Sequence, residues 1–178
     1  MWGDSIAADA AGPLAAAFTE VSGRRPYLAL VDRSMIGDHV AGIERFGQVF
    51  ADDPPEAAVV ALGTGDARDP RPAATVRSEV KRVRAALRDV PCVAWVDVKA
   101  AGVNGFYTGV VAYAGWVNVV LRSELDDRPG IERLNVTRWA DRNPEAFLAD
   151  GLHFNAEGTV RYARWLAERA QRCVEALP

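Results

Sequence analysis

Histidine and cysteine are scarce in this chain of 178 residues, which holds two of each. His39, His153, Cys92 and Cys173 show no metal-ligand spacing, which argues against a structural zinc site. Cys92 lies in an apolar run over residues 90–96 and is expected to be a buried thiol. Cys173 lies near the end of the last predicted helix. No disulfide is expected between them, and nothing else in the sequence signals an oxidising compartment. Long apolar runs are lacking too: none reaches the roughly 18 residues of a membrane-spanning helix. The start, Met1-Trp2-Gly3-Asp4, has no basic segment followed by an apolar one, so no signal peptide is expected and the chain as written is expected in the cytoplasm. Nor is there an excess of one charge. The 21 basic and 24 acidic residues leave a net charge of -3. Nucleic acid is therefore not an expected partner, since such a partner calls for a basic face or tail. Basic residues do gather over 77–88, but at helical spacing among Val and Ala, as on the outer face of a helix.

What is present is an alternation of short apolar runs with longer amphipathic segments. Helical spacing covers 6–21, 38–50, 72–88, 111–124 and 156–175, the last with Asn155 as its N-cap. Short apolar runs occupy 27–31, 57–62 and 90–96, and a weak strand covers 131–136. Residues 98–110, with Gly102, Asn104, Gly105 and Gly109, read as a loop. Continuous apolar runs separated by helices predict parallel strands covered on both faces. The expected fold is a three-layer α/β/α sandwich with a mostly parallel sheet of four or five strands, residues 1–178 forming a single domain.

In such a sheet, functional groups gather where strands end and helices begin. Four segments fit: Gly3-Asp4-Ser5, residues 34–38, Gly63-Thr64-Gly65-Asp66, and Asp150-Gly151-Leu152-His153. A serine hydroxyl is a weak nucleophile until a base takes its proton. Ser5 alone reads as a helix cap. His153 is one of only two possible histidine bases, and Asp150 stands three residues before it. A turn through Gly151 can bring the carboxylate to one ring nitrogen and leave the other for a serine. His39 has no such partner and is expected to be structural or to line a pocket.

Together these segments resemble the SGNH/GDSL hydrolase family. Gly3-Asp4-Ser5 is similar to its first block, Ser34-Met35-Ile36-Gly37-Asp38 to its second, Gly63-Thr64-Gly65-Asp66 to its third and Asp150-Gly151-Leu152-His153 to its last. The resemblance spans nearly the whole chain and implies a flavodoxin-like fold. It implies Ser5 as nucleophile, His153 as base, Asp150 as the acid that orients it, and the backbone amides of Ser5 and Gly37 as oxyanion donors. It implies ester hydrolysis through an acyl-enzyme, with no metal or organic cofactor. The expected substrate is a small-molecule or carbohydrate ester carrying a small acyl group such as acetyl. Val117-Asn118 and Trp139 also look like features of SGNH domains linked to acyl transfer on cell-surface sugars, so an O-acyltransferase is the nearest alternative.

Two positions depart from the family pattern. Gly65 stands where the family has an Asn whose side chain donates to the oxyanion. Losing one such donor costs about 100- to 1,000-fold in rate, so a ligand-binding domain with little turnover is a further alternative. A water or the Asn104 side chain is a possible substitute donor, and restoring an Asn at 65 is expected to raise activity. Second, only Met1 and Trp2 precede Gly3, too few for an ordinary strand of about five residues. The first strand is thus expected to be truncated, leaving a gap in the sheet, with a true start upstream of Met1.

Overall fold

The computed structural model describes residues 1–126 and 128–177. Five strands form one sheet: β1 (Trp2–Gly3), β2 (Ala29–Leu30), β3 (Ala57–Ala61), β4 (Cys92–Val96) and β5 (Ile131–Leu134). All neighbours pair in parallel, in the order β2-β1-β3-β4-β5. Eight α-helices accompany them among the described residues: α1 (Ser5–Ala8), α2 (Ala11–Ser22), α3 (Ile36–Val49), α4 (Thr64–Arg68), α5 (Ala73–Ala86), α6 (Thr108–Leu125), α7 (Val136–Asp141) and α8 (Ala156–Glu175).

Side chains on a strand point alternately to the two faces, so each strand feeds two cores. Ala58, Val60 and Leu62 join Trp2, Val93 and Trp95 beneath α3, α5 and α6. Val59 and Ala61 join Ala94, Val96 and Leu134 beneath α2 and α8, where Leu14, Tyr162 and Leu166 are buried. This is the predicted three-layer arrangement, and it explains why β3 and β4 read as continuous apolar runs.

The sheet also corrects several sequence expectations. No gap marks the first strand. Trp2 and Gly3 fill the place between β2 and β3, and the pairing extends beyond them through Ala29 N to Met1 O, Val31 N to Gly3 O and Asp4 N to Ala61 O. The segment expected as one helix over 6–21 breaks into α1 and α2. Pro13 then falls in the first turn of α2, where its missing N–H leaves no acceptor unserved. The expected loop over 98–110 ends early, because α6 begins at Thr108, and the weak strand over 131–136 stops at Leu134.

The cysteines are the largest correction. Cys92 opens β4, and α8 runs back across β3 and β4 so that Cys173 arrives beside it. The two form a disulfide, with Cα atoms 5.8 Å apart. Cys92 is therefore buried, as expected, but is not a thiol. The bond closes a loop of 81 residues in sequence separation, and such a cross-link removes much chain entropy from the unfolded state. Reduction, or Cys173→Ser, is expected to lower the unfolding free energy by about 2–4 kcal/mol. Denaturant titration with and without reductant measures this. Equal midpoints would mean that α8 is held by its apolar face alone.

Candidate active site

The carboxyl ends of β1 and β3 meet in one hydrogen-bonded knot. Asp4, only 2% exposed, caps α1 by accepting from Ile6 N at 3.2 Å, and its other oxygen accepts from Thr64 N at 3.1 Å. Burial pushes the Asp4 carboxyl up to about 6, against the opposing pull of these bonds from Thr64 and Ile6. Gly3 is required by the same packing. A Cβ there would lie 2.4 Å from the Ala7 Cβ, so only glycine lets α1 fold back on its strand. Ser5 is thereby turned, half-buried, into a cavity of about 280 Å³.

His153 reaches the same cavity from the opposite end of the chain. The turn that presents it is built around the Asp150 carboxylate. Oδ1 accepts from Leu152 N at 2.9 Å and His153 N at 3.0 Å, while Oδ2 stands 2.8 Å from His153 Nδ1. Burial alone would raise the Asp150 carboxyl, but the bonds from the His153 ring and the two backbone amides outweigh it and hold the group below the usual carboxylate range. An ionised carboxylate at Nδ1 fixes the proton there, which leaves Nε2 as an acceptor. Gly151 makes the turn possible. Its φ is +68°, and a Cβ would lie 1.9 Å from Gly102 O.

Loop 98–104 supports this turn from behind. Asn104 N donates to Asp150 O at 2.7 Å. The loop is held at its root by the Asn118 amide, which bonds both Val98 N and Val98 O at 2.8 Å, and by Ala100 N donating to Thr137 Oγ1 at 2.9 Å. Lys99, 8% exposed, donates to Ala101 O and lies over the Phe147 ring. Burial pulls its ammonium below the usual lysine range, with Asp141 and Asp150 opposing that shift. Trp139, singled out in the sequence, stacks on Trp165 and meets Phe147 and Phe154 edge-on.

The structure brings together Ser5, Gly65 and His153, with Asp150 directly behind His153. Ser5 and His153 face one cavity without a direct hydrogen bond between them, a separation common before substrate tightens a site. Gly37 is not brought in. It lies within α3 facing α5, where a Cβ would meet Glu79 Oε1 at 2.5 Å, and it does not line the cavity. Asn104 does not reach the cavity either; its amide points to Ala149 O at 3.5 Å. His39 is structural. Its Nε2 bonds the Ser34 hydroxyl at 2.8 Å, and that hydroxyl donates to Val31 O at 2.8 Å. Burial lowers the His39 pKa, against the charge of Asp38, which suits a neutral ring.

Sequence reading missed Arg33, Arg68 and Tyr107 as lining residues. The Tyr107 ring meets the His153 ring edge-on, with centroids 4.9 Å apart. Asp66 closes the third block. It is fully buried, accepts from Ile36 N at 2.9 Å and pairs with Arg71, so it fastens the start of α3 to α4. None of these residues sits in a local pattern that separates it from ordinary loop or helix-start chemistry.

This arrangement of sheet and helices is a flavodoxin-like three-layer α/β/α fold, shared with esterases of the SGNH/GDSL type. The C-terminal catalytic domain of peptidoglycan O-acetyltransferase A from Streptococcus pneumoniae superimposes with a TM-score of 0.69 at 16% identity, over 99% of this chain and 93% of that one. A carbohydrate esterase family 3 protein from Talaromyces cellulolyticus gives 0.69 at 15% identity, over 100% and 98%. The lipase/acylhydrolase from Enterococcus faecalis gives 0.62 at 15% identity, over 96% and 93%. No protein-family model and no curated protein sequence matches the chain. No described helix is long and apolar enough to cross a membrane. Among the described residues, no group of three or more His, Cys, Asp and Glu side chains could hold a metal ion.

Proposed function

We propose that this chain is a serine esterase that removes small acyl groups, such as acetyl, from a small-molecule or carbohydrate alcohol. The observation that carries the reading is the Asp150–His153 pair, which engages Nδ1 and leaves Nε2 as the acceptor of a residue that lines the same cavity as Ser5. In this reading Ser5 Oγ attacks the ester carbonyl while His153 Nε2 takes its proton. The imidazolium, steadied by Asp150, then protonates the departing alcohol. Water, activated by the same histidine, attacks the acyl-Ser5 ester, and Ser5 leaves with its proton restored.

Negative charge on the tetrahedral oxygen needs donors. The backbone N–H groups of Ser5 and Gly65 belong to residues lining the cavity, and neither has an acceptor within the described protein. We assign the oxyanion to these two amides in place of Ser5 and Gly37. At position 65 the donor is the main chain itself. The small volume and polar lining suit a short acyl group. Among the solved structures sharing the fold are an acetyl esterase and an acetyl xylan esterase, which supports the substrate class. Acyl transfer to a sugar hydroxyl in place of water is the second reading, favoured by the likeness to the O-acetyltransferase domain. The Cys92–Cys173 bond suits an oxidising compartment, and we replace the cytoplasmic expectation with that one.

Fluorophosphonate labelling tests the proposal. The folded protein should label at Ser5, and Ser5→Ala should lose labelling while keeping its thermal midpoint. A folded wild-type protein that does not label would overturn it.

A further inference from the structure

The only non-glycine residue with positive φ among those described is Arg33, at +58°. Arginine gains nothing from that backbone, which glycine or asparagine adopts with less strain. A residue held in such a state beside a candidate site invites a functional reading of its side chain. Arg33 lines the cavity of Ser5 and His153 and also a second cavity, of about 470 Å³, that adjoins it. Arg68, Tyr107 and Val110 line both.

Charge divides unevenly between the two spaces. Asp9 and Asp32 line the Ser5 cavity but not the second. The second holds Arg33, Arg68 and Asp69. Asp69 is already engaged by Arg68 Nε at 2.7 Å, and Arg68 also donates to Arg33 O at 3.3 Å. Arg33 is exposed, and its guanidinium has no carboxylate partner among the described residues. One guanidinium at the border of the two cavities is thus without a carboxylate partner among the described residues. In the Ser5 cavity Asp9 and Asp32 balance Arg33 and Arg68, whereas the second cavity is left with an excess of positive charge.

We infer that Arg33 is a specificity-determining residue that binds an anionic group, carboxylate or phosphate, on the alcohol portion of the substrate. The inference rests on the esterase reading for the direction of the substrate. The acyl group lies at Ser5, the alcohol extends past Tyr107 and Val110, and its oxyanion meets the Arg33 fork. A guanidinium suits this task because its planar donors match two oxygens at once.

The test compares kcat/KM for 4-acetoxybenzoate, 4-acetoxyphenyl phosphate and neutral 4-acetoxybenzamide in wild type and Arg33→Gly. Glycine keeps the backbone conformation without strain, so folding is preserved. The wild type should prefer an anionic ester over the amide. The preference should fall about tenfold in Arg33→Gly, through KM, and should weaken with added salt in the wild type alone. The better of the two anionic esters identifies the group as carboxylate or phosphate. Turnover with the same anionic-to-neutral ratio in both proteins would overturn the inference and leave the esterase reading standing. Calorimetric titration with 4-hydroxybenzoate and with phenyl phosphate separates the opposite case. Binding that Arg33→Gly abolishes, without turnover of any ester, would support the anion site and overturn the esterase. Neither binding nor turnover would overturn both.

Discussion

Replacing Asp150 by asparagine is expected to lower kcat by about 10⁴-fold while leaving KM and the thermal midpoint close to wild type. The reason lies in which atom of residue 150 does what. Oδ1 holds the turn by accepting from Leu152 N and His153 N, and an asparagine oxygen can do the same. Oδ2 faces His153 Nδ1 at 2.8 Å, and an asparagine puts an NH₂ group there. The amide would donate to Nδ1, moving the ring proton to Nε2 and removing the base that Ser5 needs. The imidazolium formed during attack would also lose its counter-charge. Because the wild-type carboxyl is held below its usual range, it is ionised at neutral pH, and the loss applies in full there. Steady-state kinetics and the rate of fluorophosphonate labelling should fall together. A decrease under tenfold would mean that His153 is oriented by something other than Asp150, and the proposed proton path would fail with it.

That pair was legible in the sequence because it is local. Asp150 and His153 are three positions apart, and a glycine between them is a visible turn signal; the structure adds only that Gly102 O would block any side chain at 151. The strands buried on both faces were legible for a similar reason. In β3 and β4 every second residue enters a different core, so the whole run must be apolar. β1 was not legible in this way. It has two residues, and its place in the sheet is set by β2 and β3 on either side, not by a pattern of its own; β2 falls within the apolar run over 27–31 but is also only two residues long. The disulfide failed to show because its geometry depends on α8 lying across the sheet, which no spacing between Cys92 and Cys173 encodes.

The second block shows the limit from the other side. Gly37 is implied as an oxyanion donor by the resemblance of residues 34–38 to the family's second block. Its close approach is instead to Glu79 and Arg71 on the far side of α3. The turn that does reach the site runs through Arg33 and carries no glycine. Only the φ of Arg33, which sequence does not display, marks it.

Gly65→Asn is the sharpest case, because sequence and structure call for opposite outcomes. Treated as a missing donor, position 65 should gain activity from an asparagine. The packing leaves no room for one. A Cβ at 65 would stand 2.2 Å from Ser34 O and 2.8 Å from Ser34 C, and both are backbone atoms that no rotamer change can move aside. Ser34 is pinned as well, by its bonds to Val31 O and His39 Nε2, and Ile36 N is tied to Asp66. Relief would require the 33–36 turn to shift as a unit, carrying Arg33 with it. Overpacking against a fixed backbone costs about 1–3 kcal/mol and at times more, and displacement of about 1 Å at a reacting centre can cost about 10²-fold in rate. Gly65→Asn should therefore melt several degrees lower and turn over an acetyl ester about 10²-fold more slowly, with Gly65→Ala nearly as impaired. A rise in kcat at unchanged melting temperature would show that the turn yields and that the oxyanion lacks a donor. The expected loss instead makes glycine at 65 a requirement of close packing, with its main-chain N–H left to serve the oxyanion.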